Sequence, residues 1–172
     1  MKQVMNVLLL AVLVFAGCKK DKNDDNPPNT LPGQINLKEV SLSSDKKSFK
    51  AGNITFKGSN GYIDRTWQNC IEPDGAEIRK ASNGGIELAY TDFNTLIADV
   101  NSLPAINKVT VRFFNNCCPT LSACDANGVI ATTTADSNSG DNATITLDLG
   151  GKKATKVSFQ SMESILYSIT IE

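Results

Sequence analysis

From Gln34 onward the chain alternates apolar and polar residues with a period of two. The pattern is plainest in Val109/Val111/Phe113, Ile145/Leu147/Leu149, Val157/Phe159 and Ile165/Tyr167/Ile169/Ile171, and it recurs in Val40/Leu42, Ile54/Phe56 and Ile86/Leu88/Tyr90. Successive side chains of a strand point to opposite faces, so each set predicts a strand with one buried and one wet face. Turn-forming residues separate the sets: Gly58-Ser59-Asn60-Gly61, Pro73-Asp74-Gly75, Asn83-Gly84-Gly85, Asn127-Gly128, Gly140-Asp141-Asn142 and Gly150-Gly151. Asn127-Gly128 predicts a hairpin, because a type I′ turn needs positive φ at both of its central residues. One segment departs from the period. In residues 92–103 the apolar positions are Phe93, Leu96, Ile97, Val100 and Leu103, with Asp92 placed to cap and Pro104 just beyond. That spacing predicts one short helix over 92–103. Roughly eight to ten short strands with wet–dry alternation predict an all-β fold, an antiparallel β-sandwich carrying that one helix.

The N-terminus follows a different rule. Lys2 precedes an unbroken apolar run from Val7 to Ala16. Ten residues make about 15 Å of helix, half of a hydrocarbon core of ~30 Å, so the run has the size of a signal-peptide core and not of a membrane span. Phe15-Ala16-Gly17-Cys18 then resembles the lipobox of bacterial lipoproteins, with Phe15 where that family usually has Leu or Val. The resemblance implies that residues 1–17 are removed and that Cys18 is lipidated. An ordinary cleaved signal, or a membrane-inserted start, is the alternative. A single acyl chain holds only marginally, so a stable anchor needs two or three chains on that cysteine. Lys19, and not Asp, follows the cysteine; in the sorting rule of Gram-negative lipoproteins this implies an outer-membrane address. Residues 19–33 (KKDKNDDNPPNTLPG) mix both charges with three prolines and almost no apolar surface, and are expected to be a disordered tether. Asp21, Asp24 and Asp25 resemble the acidic export tag of surface lipoproteins and imply display on the cell surface; a plain spacer in the periplasm is the alternative. The expected organisation is a leader (1–17), a lipidated cysteine and tether (18–34) and a β-sandwich domain (35–172).

Composition narrows the function classes. Seventeen Lys and Arg against eighteen Asp and Glu give a net charge of −1, without the basic footprint of a nucleic-acid binder, so no nucleic-acid partner is expected. There is no histidine, which removes Ser-His-Asp and Cys-His catalysis, His-ligated metal sites and histidine pH switches.

The second half, KVTVRFFNNCC…CDANGVIATTT followed by ATITLDLGGKKATKVSFQSMESILYSITIE, resembles the closing strands of galactose-binding-like and carbohydrate-binding-module domains. The shared pattern is a strand, a hairpin at Asn-Gly, a Gly-Gly-ended strand and a final alternating strand, over 108–172. The resemblance implies a jelly-roll-type sandwich. Its motifs are strand-and-turn grammar, so they speak to fold more than to function.

Besides Cys18 the chain has Cys70, Cys117, Cys118 and Cys124. An even count in an exported chain reads as two disulfides. Adjacent strand residues face opposite ways, so Cys117 and Cys118 are expected to serve different partners: one closing the short loop to Cys124, the other crossing to Cys70. A zinc site is disfavoured by the missing Cys-x-x-Cys pair and an oxidising compartment.

Three groups are candidates for ligand chemistry. Tyr62, Asp64, Arg65 and Trp67 place two aromatics, an acid and an arginine within six residues, the group types of a sugar site. The plainer account of Trp67 is a core cap beside Cys70. Asp136, Asn138 and Asp141 offer hard oxygens to a structural Ca²⁺, without the spacing of an EF-hand; a solvated loop is the plainer account. A glycosidase needs two carboxylates at a set separation with one pKa raised, and nothing marks Glu72, Asp74, Glu77 or Glu87 as buried. A surface ion pair between Glu77 and Arg79 explains that pair cheaply. The expected function is therefore non-catalytic: a lipid-anchored binding or adhesion module, most simply for glycan. The alternatives are a structural or protein-interaction subunit of an envelope complex and, less favoured, a small glycoside hydrolase.

Overall fold

The computed structural model describes residues 31–60, 75–89, 94–115, 119–135 and 140–172. They form twelve strands: β1 (Gly33–Asn36), β2 (Ser48–Ala51), β3 (Ile54–Ser59), β4 (Arg79–Lys80), β5 (Ile86–Leu88), β6 (Thr95–Asp99), β7 (Ile106–Asn115), β8 (Thr120–Asp125), β9 (Gly128–Thr134), β10 (Gly140–Lys152), β11 (Lys156–Gln160) and β12 (Ser164–Ile171). Sheet A has the order β10-β7-β12-β5-β4, with β1 also on β12; sheet B has the order β2-β3-β6-β11-β8-β9. Every pairing is antiparallel. The fold is all-β, two sheets face to face.

The core forms where the period-two sets of the two sheets meet. Val109, Val111 and Phe113 of β7, and Ile145, Leu147 and Leu149 of β10, are buried against Leu96, Ala98, Leu121, Val157 and Phe159 of sheet B. Phe113 and Phe159 join the layers, their rings 5.1 Å apart and tilted by 59°. Phe49 and Phe56 stand directly opposite across β2 and β3 and stack at 4.7 Å.

The predicted helix over 92–103 is not there. Among the described residues there is no helix, and Thr95–Asp99 is an inner strand of sheet B. Inner strands with both faces covered lose their alternation. Thr95, Leu96, Ile97 and Ala98 are all buried, with Leu96 and Ala98 in the main core and Ile97 on the other face beside Cys124. Two apolar faces, seen in sequence, mimicked a helical spacing. The chain turns after Asp99, whose carboxylate accepts the Asn101 amide.

Other expectations also shift. Gly58-Ser59 is not a turn but the buried end of β3. Val40 lies outside any strand, and Leu42 makes only an isolated bridge to Phe49. The β8–β9 hairpin forms, but its turn is Ala126-Asn127, closed by Asn127 donating to Asp125 at 2.6 Å. Neither turn residue has positive φ; Gly128, at 130°, takes the unusual geometry one position later, so the turn is not type I′. In β12 a register shift between Leu166 and Ser168 re-phases the strand. Leu166, Ile169 and Ile171 are buried while Ile165 and Tyr167 are half-exposed on the outer face, which splits the four-residue set expected to share one face.

Strand β4 is tied down by its lysine. Lys80 Nζ donates to the carbonyls of Leu37 (2.7 Å) and Gly84 (3.0 Å), and burial draws its pKa below the ordinary lysine value. Lys80→Met keeps the stem and removes the donors; two partly buried carbonyls then go unpaired, at an expected cost of about 1–3 kcal/mol in urea denaturation. A change within 0.3 kcal/mol, at the scatter of surface substitutions, would mean water replaces the ammonium freely.

Candidate functional site

Register places the strand ends in two rows. In sheet B, Ser59, Thr95, Gln160, Thr120 and Thr134 stand side by side; in sheet A, Leu88, Ser164, Asn115 and Gly140 do. Short connections link the rows, β7 to β8 and β11 to β12, so both rows belong to one end of the sandwich. That end is stitched by buried polar groups. Asn94 N–H donates to Ser59 O at 3.1 Å, and Ser161 N–H to Asn94 O at 3.0 Å. The Thr95 hydroxyl donates to Asn94 Oδ1 at 3.0 Å, and the Ser161 and Ser164 hydroxyls share a hydrogen bond of 2.6 Å. Satisfied buried networks of this kind rigidify what they join, here the ends of β3, β6, β11 and β12.

Beside this end, on the outer face of sheet A, lies an open cleft of about 350 Å³. Phe114 of β7 stands opposite Ile165 of β12, which stands opposite Glu87 of β5. Phe114 and Ile165 are half-buried and form the apolar floor; Glu87 and Glu163 are exposed and supply carboxylates at its sides, with Leu88, Ala89 and Ser164 completing the lining. The re-phasing of β12 is what turns Ile165 outward. Two residues on, Tyr167 continues the face: Lys38 Nζ and the Arg112 guanidinium lie 5.1 and 5.7 Å from its ring centre, and Asn83 donates to its hydroxyl at 3.4 Å. An aromatic edge with flanking carboxylates suits a polyhydroxylated ligand, whose C–H faces pack on rings and whose hydroxyls donate to carboxylates.

Most of the sequence-derived candidates lie outside the described residues. Tyr62, Asp64, Arg65, Trp67 and Cys70 lie outside the described residues, in the 61–74 connection. Its flanks are fixed at the site: β3 ends at Ser59, and Gly75 bridges back to Ser59. Cys117 and Cys118, and Asp136 and Asn138, also lie outside the described residues; so does the side chain of Asp141, whose backbone belongs to β10. Beside it, Asn142 has φ 64° and accepts a hydrogen bond from Arg112. Among the described residues no three Asp, Glu or Cys groups come together as a metal site. Cys124 is described, buried and disulfide-bonded. Cys18 and the apolar run 7–16 lie outside the described residues, and no described helix is long and apolar enough to cross a membrane. Glu77 pairs with Lys46 at 3.1 Å; Arg79 instead stands opposite Glu87. Phe114, Ile165 and Glu163 were not anticipated. The Phe113-Phe114 doublet carried a usable signal, since adjacent strand residues cannot both face the core.

No family model matches the chain, and no curated protein does. Solved structures are similar to it at low identity. A carbohydrate-binding-module structure from Clostridium stercorarium, in complex with cellobiose, is similar at 10% identity and TM-score 0.42, over 81% of this chain and 92% of that one. The K1 cleaved adhesin domain of Lys-gingipain from Porphyromonas gingivalis is similar at 14% identity and TM-score 0.33, over 81% and 88%. The module pair of a Clostridium thermocellum endo-1,4-β-D-xylanase, complexed with xylohexaose, is similar at 14% identity and TM-score 0.32, over 80% of this chain and 26% of that one.

Proposed function

We propose that this chain is a non-catalytic glycan-binding module, held by a lipid on Cys18 to the outer membrane and displayed at the cell surface on its tether. The observation that carries the binding reading is the cleft in which half-buried Phe114 and Ile165 lie between the exposed carboxylates of Glu87 and Glu163. It adjoins the end from which the connection bearing Tyr62, Asp64, Arg65 and Trp67 departs and returns. Together these supply rings for stacking and charged groups for hydroxyls. A glycan array followed by calorimetry tests the reading. Phe114→Ala and Trp67→Ala are each expected to weaken the best ligand about tenfold, as loss of a ring contact worth ~1.4 kcal/mol requires. No binding to any plant, host or microbial polysaccharide, by protein that melts cooperatively, would defeat it. A Ca²⁺ at Asp136, Asn138 and Asp141 would be structural, and would appear as a melting temperature raised by calcium and lowered by chelator.

The anchor has its own test. Cys18→Ser is expected to move the chain from the membrane fraction to the soluble one. Unchanged fractionation, with an unmodified N-terminus by mass spectrometry, would remove the lipoprotein reading.

One observation favours a hydrolase as the second reading: Glu87 and Glu163 share the cleft. Both are exposed, whereas a general acid needs desolvation to hold its proton at neutral pH. Polysaccharide turnover abolished by both Glu87→Gln and Glu163→Gln would establish it over the binding module.

A further inference from the structure

Among the described residues the free sheet edges belong to β1, β4 and β10 in sheet A and to β2 and β9 in sheet B. Four of these edges are guarded. The segment before β2 covers it: Leu42 bridges to Phe49, and Ser43 N–H donates to Ser48 O at 2.8 Å. β4 is two residues long and both are cationic, Arg79 and Lys80. β1 has four residues, begins just after Pro32, and gives its Asn36 carbonyl to the Glu39 amide. β10 carries Asp148 and Lys152, and its register shifts between Gly140 and Ala143 and again between Asp148 and Lys152. Short length, charge, proline and bulges are the usual devices that keep a sheet edge from pairing with another chain.

β9 differs. Its seven residues, GVIATTT, include no charge and no proline, and five are β-branched, the side chains that favour strands. Ala135 N–H donates to Pro119 O at 3.1 Å, which sets the hydrogen-bond phase of the β8–β9 ladder. Bonded positions of an antiparallel ladder alternate. Thr133 and Ala131 therefore face β8, opposite Leu121 and Ala123, while the N–H and C=O of Thr132 and Thr134 point off the sheet. Both threonines are exposed, and the Thr132 hydroxyl shares a 2.8 Å hydrogen bond with Ser122. The other end of the strand is closed. There the register shifts at Ile130, whose carbonyl accepts from Lys152 Nζ at 3.5 Å. From Ala131 on the strand is regular, and among the described residues nothing takes the outward groups of Thr132 and Thr134.

We propose that a second copy of this chain pairs with this edge, β9 to β9, antiparallel about a two-fold axis at Thr133. Thr132 of each copy then stands opposite Thr134 of the other, and each such pair exchanges N–H···O=C bonds in both directions. Sheet B runs on through both molecules. Charge favours a like partner. A two-fold joint sets a strand against itself, so any charged strand meets its own sign there. β9 has no charge to repel. The two Lys152 groups, each beside Ile130 of its own strand, are carried to opposite ends of the joint. Both edges are used up, so the assembly closes at two. A joint that involves one strand from each copy sits at the low end of interface sizes, so the dimer is weak and depends on concentration. None of this rests on what the cleft binds.

Sedimentation equilibrium of the exported chain carrying Cys18→Ser, which has no thiol there to lipidate, tests the pairing. A monomer–dimer equilibrium is expected. Thr132→Lys combined with Thr134→Lys should raise its dissociation constant about tenfold or more, and Thr132→Glu combined with Thr134→Glu likewise, because each sets like charges across the joint. Mixing the lysine and glutamate variants should restore a dimer with one copy of each. Thr146→Lys, on the exposed face of β10, should change nothing. A chain that stays monomeric up to its solubility overturns the proposal, as does growth beyond two copies. So does a dimer that the lysine variant leaves at full strength, or a mixture that associates no better than its parts. Should a double variant fail to fold, the wild-type equilibrium and the single variants Thr132→Lys and Thr132→Glu decide on the same terms.

Discussion

Phe159→Ala is expected to destabilise the domain by about 3–5 kcal/mol, the usual cost of deleting a buried ring, against a total of about 5–15 kcal/mol for a domain of this kind. Phe159 lies on β11, an inner strand of sheet B, and is 2% exposed. Its ring meets Phe113 of β7, also fully buried and on an inner strand of the opposite sheet. The alanine variant therefore loses both the area removed from water and the contact that joins the layers. Both strands are hydrogen-bonded on their two edges, so neither backbone can slide to close the void. Urea denaturation followed by circular dichroism gives the number. Val129→Ala is the control: Val129 is 39% exposed on the edge strand β9, and its truncation should cost within ~0.5 kcal/mol. Similar losses at both positions would mean that the sandwich is not held by this inter-sheet contact.

The same contrast between inner and edge strands explains what the sequence could convey. β7, β10 and β11 are legible from alternation alone, since their outward residues are polar: Lys108, Thr110 and Arg112 on β7, and Thr144, Thr146 and Asp148 on β10. β6 is not legible, because a strand covered on both faces has no polar face to set the period, and Thr95 and Ile97 look outward into a closed space. Gly58 and Ser59 read as a turn on composition. Their small side chains instead fit the buried end of β3, where Gly58 N–H is taken by Lys47 O and Gly58 O accepts from Ala76. The outward turn of Ile165 rests on a register shift in β12, which depends on how that strand meets β7; alternation by itself predicts the opposite face. So the aromatic and acidic groups of 61–74 could be singled out from residue types, while the Phe114–Ile165–Glu87 row required the register.

Gly85→Ala is expected to cost about 1–3 kcal/mol, the range for forcing an extra methyl into a packed site, because Gly85, at the end of a tight turn, is buried. Gly84, not Gly85, carries the positive φ of that turn (85°), so the backbone at 85 accepts alanine and the cost is purely one of space. A Cβ there would stand 2.5 Å from Ile165 Cγ2 and 2.9 Å from the Leu166 carbonyl oxygen. The first obstacle is the end of a side chain and can move. The second is backbone of β12, held between β7 and β5, and cannot. The two parts separate in a double-variant cycle. Adding Ile165→Ala removes the methyl and should recover part of the loss caused by Gly85→Ala, leaving the share due to the carbonyl. Complete recovery would mean that β12 yields after all; no recovery would mean that Ile165 was never the obstacle. Because Ile165 is also the floor of the cleft, Gly85→Ala pushes on the candidate site from behind. It should therefore weaken ligand binding in a variant that remains folded at the assay temperature, whereas the core truncation at Phe159 should weaken binding only in proportion to the fraction unfolded.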